Sequence, residues 1–595
     1  MMFFIRFLLF CLSSVGCWEL LRRYAGVPVA FLPSLTVAVQ TVILFGGGLL
    51  NLLPECTLLL YIAGFLFLLD CLRRDRNPAF LKEYAHVGLL FLAATLLLSV
   101  FLLRGKVLTG LDDFSHWGLI VRQMLRENRY PNFQDAYIEY REYVPGSATY
   151  LYFFSQLVGA DEWIWMLGQT YMMLTAVLPL FLPAGKQRLA AAAALLAGIH
   201  FILIFNGDVT LLLVDTLLPL AGMCGLLYAY LCCGSDSGIR EWCWAACYMA
   251  QMLLMKNSGL YFAALVVVWM LWEGRKDKKA LGGRTACALC PFLTLLLWHK
   301  HCRLVFDDGG ISKHAMTVAN YRAVFAEKSG QQLRMIFHVL LRKSLTMKEM
   351  LLTLAAVLLV GLLTMIWTGE KTAPHGKMKK TEPRFWWNRS RRFVRLLAIS
   401  TALYVSYQLC TLGMYWFSMP MNEAFEVSGF PRYTRTILIA VWYLTAAQAM
   451  KLLSCVKEDK AATVIITSLL ILGSWGQMYA CEGNVRLPGS RLRQSPVRSQ
   501  LQAAAEQYGV EPGASYIIFV SHEDVKLVRY IGKYLFLSEA VDVINVNEKT
   551  DREQWNADYL FILDKSNPLI AQWVQEHYPE QAGQQVIVTA NRQGT

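Results

Sequence analysis

Apolar positions along this chain come in long blocks and not in alternating or striped patterns. From the N-terminus to about residue 480, apolar stretches of roughly 15 to 23 residues recur, each long enough as a helix to cross about 30 Å of hydrocarbon. The pattern predicts spans near 3–20, 28–52, 56–71, 87–104, 162–183, 190–206, 210–232, 242–255, 259–272, 285–299, 349–367, 394–415, 435–453 and 462–480, about fourteen in all. Beyond 481 the period changes. Short apolar runs (SYIIFVS, VDVINV, DYLFILD, QVIVTA) alternate with amphipathic stretches such as HEDVKLVRYIGKYLF and LIAQWVQEHY. That alternation predicts a small α/β domain with a parallel sheet. It carries no G-x-G-x-x-G and no P-loop, so no nucleotide is assigned to it. The expected fold class is an all-α polytopic membrane bundle with a small α/β domain at its C-terminal end.

Composition agrees: 56% of residues are hydrophobic and 17% charged, more apolar surface than a soluble domain can cover. The net charge of +13 would suit a nucleic-acid partner if it were spread over one face. Instead the basic residues gather in loops such as EGRKDKKALGGR (273–284) and KMKKTEPRFWWNRSRRFVR (377–395), which excludes that class and reads as the positive-inside signature. Starting the N-terminus outside places Arg22, Arg23, LRRDR (72–76), GKQR (185–188), both of those loops and KLLSCVKEDK (451–460) inside together. Nothing after Trp18 reads as a small-residue cleavage site, so the first segment is taken as a span. The expected organisation is then N-terminal helices over 1–104 and a first large external loop, the catalytic one, over 105–161. A bundle over 162–480 carries a second external loop (299–348) and a basic cytoplasmic loop (368–394), and an extracytoplasmic α/β domain covers 481–595. Most of the fifteen cysteines lie inside apolar runs without metal-ligand spacing; only Cys302 and Cys481 approach the outer side.

Polar residues at the outer level stand out against this background. In TGLDDFSHWGLIVRQMLRENRYP (109–131), two adjacent carboxylates, Asp112 and Asp113, follow a span. Either acid alone also reads as a cap for a helix starting at Ser115. Trp117, Ile120, Val121, Met124 and Leu125 share one face of that helix, which is expected to lie along the membrane surface. Asp208 is predicted at a span's outer edge and Asp215 about two turns inside it, where a carboxylate is costly and is either functional or hydrogen-bonded to neighbouring helices. Lys256 follows a span in LLMKNSGLYF, placed to meet a phosphate or to snorkel. Arg432 and Tyr433, in FPRYTRTILIAVWY, sit at the mouth of a late span; the planar guanidinium holds two phosphate oxygens and keeps its proton, although an interfacial anchor would look the same. His116, beside a tryptophan, is either a substrate contact or a hydrogen-bonded wall.

Together with YREYVPGSATYLYFFSQLVGADEW (140–163), these features resemble the GT-C glycosyltransferases, especially the bacterial aminoarabinose transferase and protein O-mannosyltransferase branch. The likeness consists of an acidic pair after an early span, a surface helix ending in Pro, a Tyr/Pro turn containing Tyr143, an aromatic run closed by a G-x-x-E-W element, a K-x-x-G-L element at Lys256 and the Arg432–Tyr433 pair. It is specific over about 109–175 and looser to about 450. The chain departs from the family pattern in carrying Asp112–Asp113 where Asp-Glu is usual, Val144–Pro145–Gly146 where a double proline is usual, and three additional early spans.

The resemblance implies a polyprenyl-phosphate-linked sugar as donor, an extracytoplasmic acceptor, and Asp113 or Asp112 as the base. It further implies Arg432, Tyr433 and Lys256 around the donor phosphate, with His116, Tyr143, Asp208 and Asp215 lining the substrates. Adjacent carboxylates raise one another's pKa, which suits a proton acceptor. The lipid tail of the donor would lie in the membrane between spans. No cofactor and no metal is compelled, although an acid pair beside phosphate is able to recruit a divalent ion. Two other classes fit the same residues: a transporter or flippase of lipid-linked saccharides, with Asp215 and Lys256 along its pathway, and a polymerase or ligase using diphosphate-linked donors. Transport predicts two similar halves with broken helices, and no internal repeat is visible.

Overall fold

Among the described residues most long apolar runs close their backbone hydrogen bonds within helices, giving a helical bundle with one small sheet near the C-terminal end. The computed structural model describes residues 2–74, 87–184, 209–234, 236–306, 318–367, 383–455, 495–546 and 555–589. Among these, seven helices are long and apolar enough to cross a membrane, and three shorter apolar helices accompany them. The predicted spans at 190–206 and 462–480 lie outside the described residues, and fourteen crossings are not reached within them. Leu58, Leu59, Leu66, Leu97, Leu296 and Leu409 stand exposed on these helices, an apolar outer surface that fits lipid as its solvent.

The first three helices, α1 (Met2–Ala25), α2 (Leu32–Leu49) and α3 (Leu53–Arg74), pack together. Gly16 of α1 meets Gly64 of α3 so closely that a Cβ on Gly16 would sit 1.8 Å from the Gly64 carbonyl oxygen. Small residues at the crossing let the backbones approach, as dispersion-driven helix pairing in lipid requires. Helix α4 (Val87–Leu103) leads into the 105–161 segment, which folds as α5 (Gly118–Glu127) and α6 (Gly146–Val158) ahead of α7 (Glu162–Val177). Helix α5 is not laid on an open surface as its apolar stripe suggests. Leu119 and Gln123 lie off that stripe yet are as buried as Val121 and Met124, because α6 and the turn before α5 enclose the helix.

Helices α8 (Leu217–Cys232), α9 (Ile239–Met255) and α10 (Gly259–Gly274) follow. A continuous predicted span is then divided at Pro291 into α11 (Leu281–Leu289) and α12 (Phe292–Val305). The predicted loop 299–348 is largely helical where it is described, as α13 (Val318–Ala326) and α14 (Gly330–Thr346). A reciprocal capping box between Ser329 and Gln332 starts α14. Helices α15 (Lys348–Trp367), α16 (Pro383–Phe417), α17 (Met421–Glu426) and α18 (Phe430–Cys455) complete the bundle.

The C-terminal unit comprises α19 (Pro496–Gln507), β1 (Tyr516–Val520), α20 (Val525–Phe536), β2 (Val541–Asn545), β3 (Tyr559–Ile562), α21 (Pro568–His577) and β4 (Val586–Val588). Strand order is β2-β1-β3-β4, with β1 parallel to both neighbours. The expected parallel sheet is found in β1, β2 and β3, and β4 departs from it by pairing antiparallel to β3. A 3-10 turn at Pro579–Gln581 reverses the chain, and the Gln581 amide bonds both backbone groups of Val588 at 2.9 Å, capping the open edge.

Candidate functional site

The acid pair sits in a turn of π-helix, Asp113–Trp117, that introduces α5. Neither acid caps the helix with its side chain in the way a helix-start aspartate would; Asp112 occupies the N-cap position without such a bond. The two carboxylates part company. Asp113 is fully buried and accepts a hydrogen bond from the backbone N–H of Leu212 at 3.0 Å. Gly110 lies close behind it: a Cβ there would stand 2.8 Å from Asp113 Oδ2 and 2.7 Å from Leu211 Cδ2, so either side chain would have to shift. Asp112 points the other way and is 36% exposed; its Oδ2 accepts from Arg432 Nη1 at 2.5 Å.

Asp215 supplies the next link. It does not lie two turns inside a span, as the apolar run implies: residues 209–216 form turns, and the helix begins only at Leu217. The unwound backbone is satisfied by side chains instead of by a helix. Gln169 on α7 donates to the carbonyls of Leu211 (3.0 Å) and Leu213 (3.1 Å), while Asp113 takes the intervening N–H. Held this way, Asp215 places Oδ1 2.6 Å from Lys256 Nζ and Oδ2 3.7 Å from Arg432 Nε. The hydroxyl of Thr436 donates to the Asp215 carbonyl at 3.3 Å, tying the turn to α18.

Carboxylates and cations therefore alternate in the order Asp112, Arg432, Asp215, Lys256, contributed by the first large loop, α18, the turn before α8 and the end of α9. Tyr433 packs under the two cations, with Lys256 Nζ 5.6 Å and the Arg432 guanidinium carbon 5.2 Å from its ring centre. Its hydroxyl accepts from Arg432 Nη2 at 3.4 Å. An aromatic wall adjoins: the His116 ring lies 4.6 Å from Trp117, 5.3 Å from Tyr140 and 5.1 Å from Tyr143. Burial, then the nearby Lys256 and Arg432 charges, push the His116 pKa down to about 3, so the ring is neutral. Its Nδ1 faces Ser115 Oγ at 3.0 Å, and its buried Nε2 has no hydrogen-bond partner among the described residues. Burial likewise raises the Tyr143 hydroxyl pKa, keeping it a donor.

Of the residues singled out in the sequence, Asp112, Asp215, Lys256, Arg432, Tyr433, His116 and Tyr143 thus converge, Asp113 backs them from the interior, and Asp208 lies outside the described residues. Sequence reasoning missed Gln169, whose signal was an amide inside an otherwise apolar span, and read Glu162, an acid at that span's first residue, only as part of the G-x-x-E-W element, without its partners. Glu162 meets Arg498 and Tyr534 of the C-terminal unit. A separate cavity of about 1140 Å³ lies on that flank, lined by Arg122, Glu162, Trp165, Arg498 and Tyr534 among others, and does not include the Asp112–Arg432 cluster. Among the described residues no group of three His, Cys, Asp or Glu side chains is placed to hold a metal ion. No protein-family model, curated protein or solved structure matches the chain.

Proposed function

We propose that this chain is a membrane glycosyltransferase that moves a sugar from a polyprenyl-phosphate donor to an acceptor on the extracytoplasmic side of the cell membrane. The observation that carries the reading is the alternating Asp112–Arg432–Asp215–Lys256 cluster, in which two cations suited to a phosphate stand directly beside a partly exposed carboxylate. The distribution of basic loops supports the outward orientation.

The donor phosphate takes the two-pronged guanidinium of Arg432, with Lys256 beside it, and so displaces Asp112 from its ion pair. Freed, Asp112 accepts the proton of the acceptor hydroxyl or amine as that nucleophile forms its bond to the anomeric carbon. The bond from the anomeric carbon to the phosphate oxygen breaks in the same event, and its electron pair leaves on the lipid phosphate, where Arg432 and Lys256 stabilise the developing charge. Asp215 orients both cations. Asp112 is therefore assigned as the base in preference to Asp113, whose carboxylate is committed to the Leu212 amide. Neutral His116 and Tyr143 form the wall against which the sugar or acceptor rests.

The non-helical 209–216 segment beside Asp215 and Lys256 also favours a second reading, passage of a lipid-linked saccharide past an irregular stretch of backbone. Purified protein reconstituted in vesicles with a radiolabelled sugar on a monophosphate polyprenyl carrier separates the two. Label joined covalently to acceptor supports the transferase; label crossing the bilayer on its intact carrier, with no new glycosidic bond, overturns it.

A further inference from the structure

The C-terminal unit touches the bundle at the segment that carries the acids. Leu108, four residues before Asp112, is fully buried, and both of its backbone groups are held by one charged pair. Its N–H donates to Glu162 Oε2 at 2.6 Å, and its carbonyl accepts from Arg498 Nη1 at 2.6 Å. Glu162 begins α7 in the bundle, whereas Arg498 belongs to α19 of the C-terminal unit; the two are joined at 2.5 Å and 3.1 Å. Tyr534 of α20 donates to the other oxygen of Glu162 at 2.6 Å. The Tyr534 ring packs edge-on against Phe114, the residue after Asp113, at 5.2 Å, and the Arg498 guanidinium lies 5.4 Å from each of these rings. Arg122 on α5 completes the grip, donating to the Leu535 carbonyl at 3.2 Å. On the other flank Tyr530 donates to Glu139 at 2.7 Å, with Lys533 3.8 Å from the same carboxylate.

We propose that the C-terminal unit acts as the positioning element of the reaction, with Arg498 and Tyr534, through Glu162 and Leu108, setting the segment from which Asp112 reaches Arg432. The inference rests on the transferase reading for its kinetic consequence but not for its structural one. The physical reason is geometric. A single turn of π-helix is rare and is found mostly at functional sites, and a base displaced by about 1 Å loses on the order of a hundredfold in rate. Here the turn is pinned at both ends, at Leu108 and at Arg122, by side-chain and backbone groups of the C-terminal unit or of the helix it grips. None of these residues lies in the Asp112–Arg432–Asp215–Lys256 cluster, so their removal leaves the phosphate-binding cations in place.

The test uses full-length protein in lipid nanodiscs, comparing wild type with Arg498→Gln, Arg498→Lys and the milder Tyr534→Phe. Amide hydrogen exchange over residues 106–118 is expected to rise about tenfold in Arg498→Gln and about threefold in Tyr534→Phe, with α18 unchanged. Transfer from the monophosphate polyprenyl donor is expected to lose about ten- to a hundredfold in kcat while the donor KM stays within about twofold, with Arg498→Lys recovering part of the loss. Unchanged exchange over 106–118 in both Tyr534→Phe and Arg498→Gln overturns the proposal, as does a rise in donor KM with kcat held. Should Arg498→Gln fail to fold, Tyr534→Phe carries both readouts. A wild-type protein that transfers no sugar, but whose variants show the exchange increase, removes the transferase reading and leaves the anchoring of this segment standing.

Discussion

Two charged networks join distant parts of this chain, and they are built on opposite terms. Around Arg498 the shortest contacts are close, Glu162 at 2.5 Å, the Leu108 carbonyl at 2.6 Å and Tyr534 on Glu162 at 2.6 Å, with the Arg498 side chain only 4% exposed. Around Arg432, one contact is short, another is stretched to 3.7 Å, and both Arg432 and Asp112 keep about a third of their side-chain surface open. A buried ion pair held at short distance joins the segments that carry it, because removing either partner leaves a charge stranded. A partly open cluster in which cations borrow carboxylates of the same chain is one in which a phosphate is able to take a carboxylate's place. The first network is a joint and the second is a seat.

That contrast can be broken at several points. The largest effect belongs to the seat: Asp112→Asn is expected to lower transfer by about 10²- to 10⁴-fold with little loss of folding stability. Asp113→Asn keeps an oxygen for the Leu212 amide and is expected to stay within about tenfold of wild type. Steady-state rates and thermal unfolding of the two variants side by side check this, and the reverse ranking would return the base to Asp113. At the joint, Glu162→Gln strands the Arg498 charge and is expected to destabilise the native state by about 3–5 kcal/mol, read from denaturant or thermal unfolding. Arg432→Lys keeps the charge but loses the fork, so the donor KM is expected to rise about tenfold while the acceptor KM holds.

A pH-dependent effect concerns His116. Its folded pKa of about 3 lies below the ordinary 6.5, so the stability it contributes is fully present above pH 6.5 and is lost as pH falls from there toward 3. Titrating unfolding stability over that window should therefore show a decline that flattens in His116→Gln by up to about 1.4 kcal/mol per pH unit.

Much of the architecture could be read along the chain because hydrocarbon-length apolar runs have few alternatives to helix. The outer polar residues were legible too, since Asp112, Lys256, Arg432 and Tyr433 are conspicuous against such runs. What escaped depends on contacts between segments. Val209 to Val214 reads as the start of a helix by composition, and its non-helical backbone is satisfied in part by Gln169 and Asp113, reaching in from elsewhere. Which acid faces Arg432 turns on a single π-turn, for which adjacent identical residues give no sign. The apolar stripe of α5 pointed to the membrane surface because a periodic pattern cannot tell lipid from protein as its cover. The sheet's antiparallel edge follows from a three-residue reversal at Pro579–Gln581, too short to register in any hydrophobic period.

Helix α16 has 35 residues, a rod of about 52 Å at 1.5 Å per residue. Even inclined by about 40°, it outreaches a 30 Å hydrocarbon layer by roughly 10 Å. If the opposite terminus, at Phe417, which closes on the helices that lead to Arg432, lies at the outer face, the overhang projects at the Pro383 end and brings Arg391 and Arg392 to the level of phospholipid headgroups. Bilayer thickness and surface charge there would then bear, through one stiff lever, on how α18 carries Arg432.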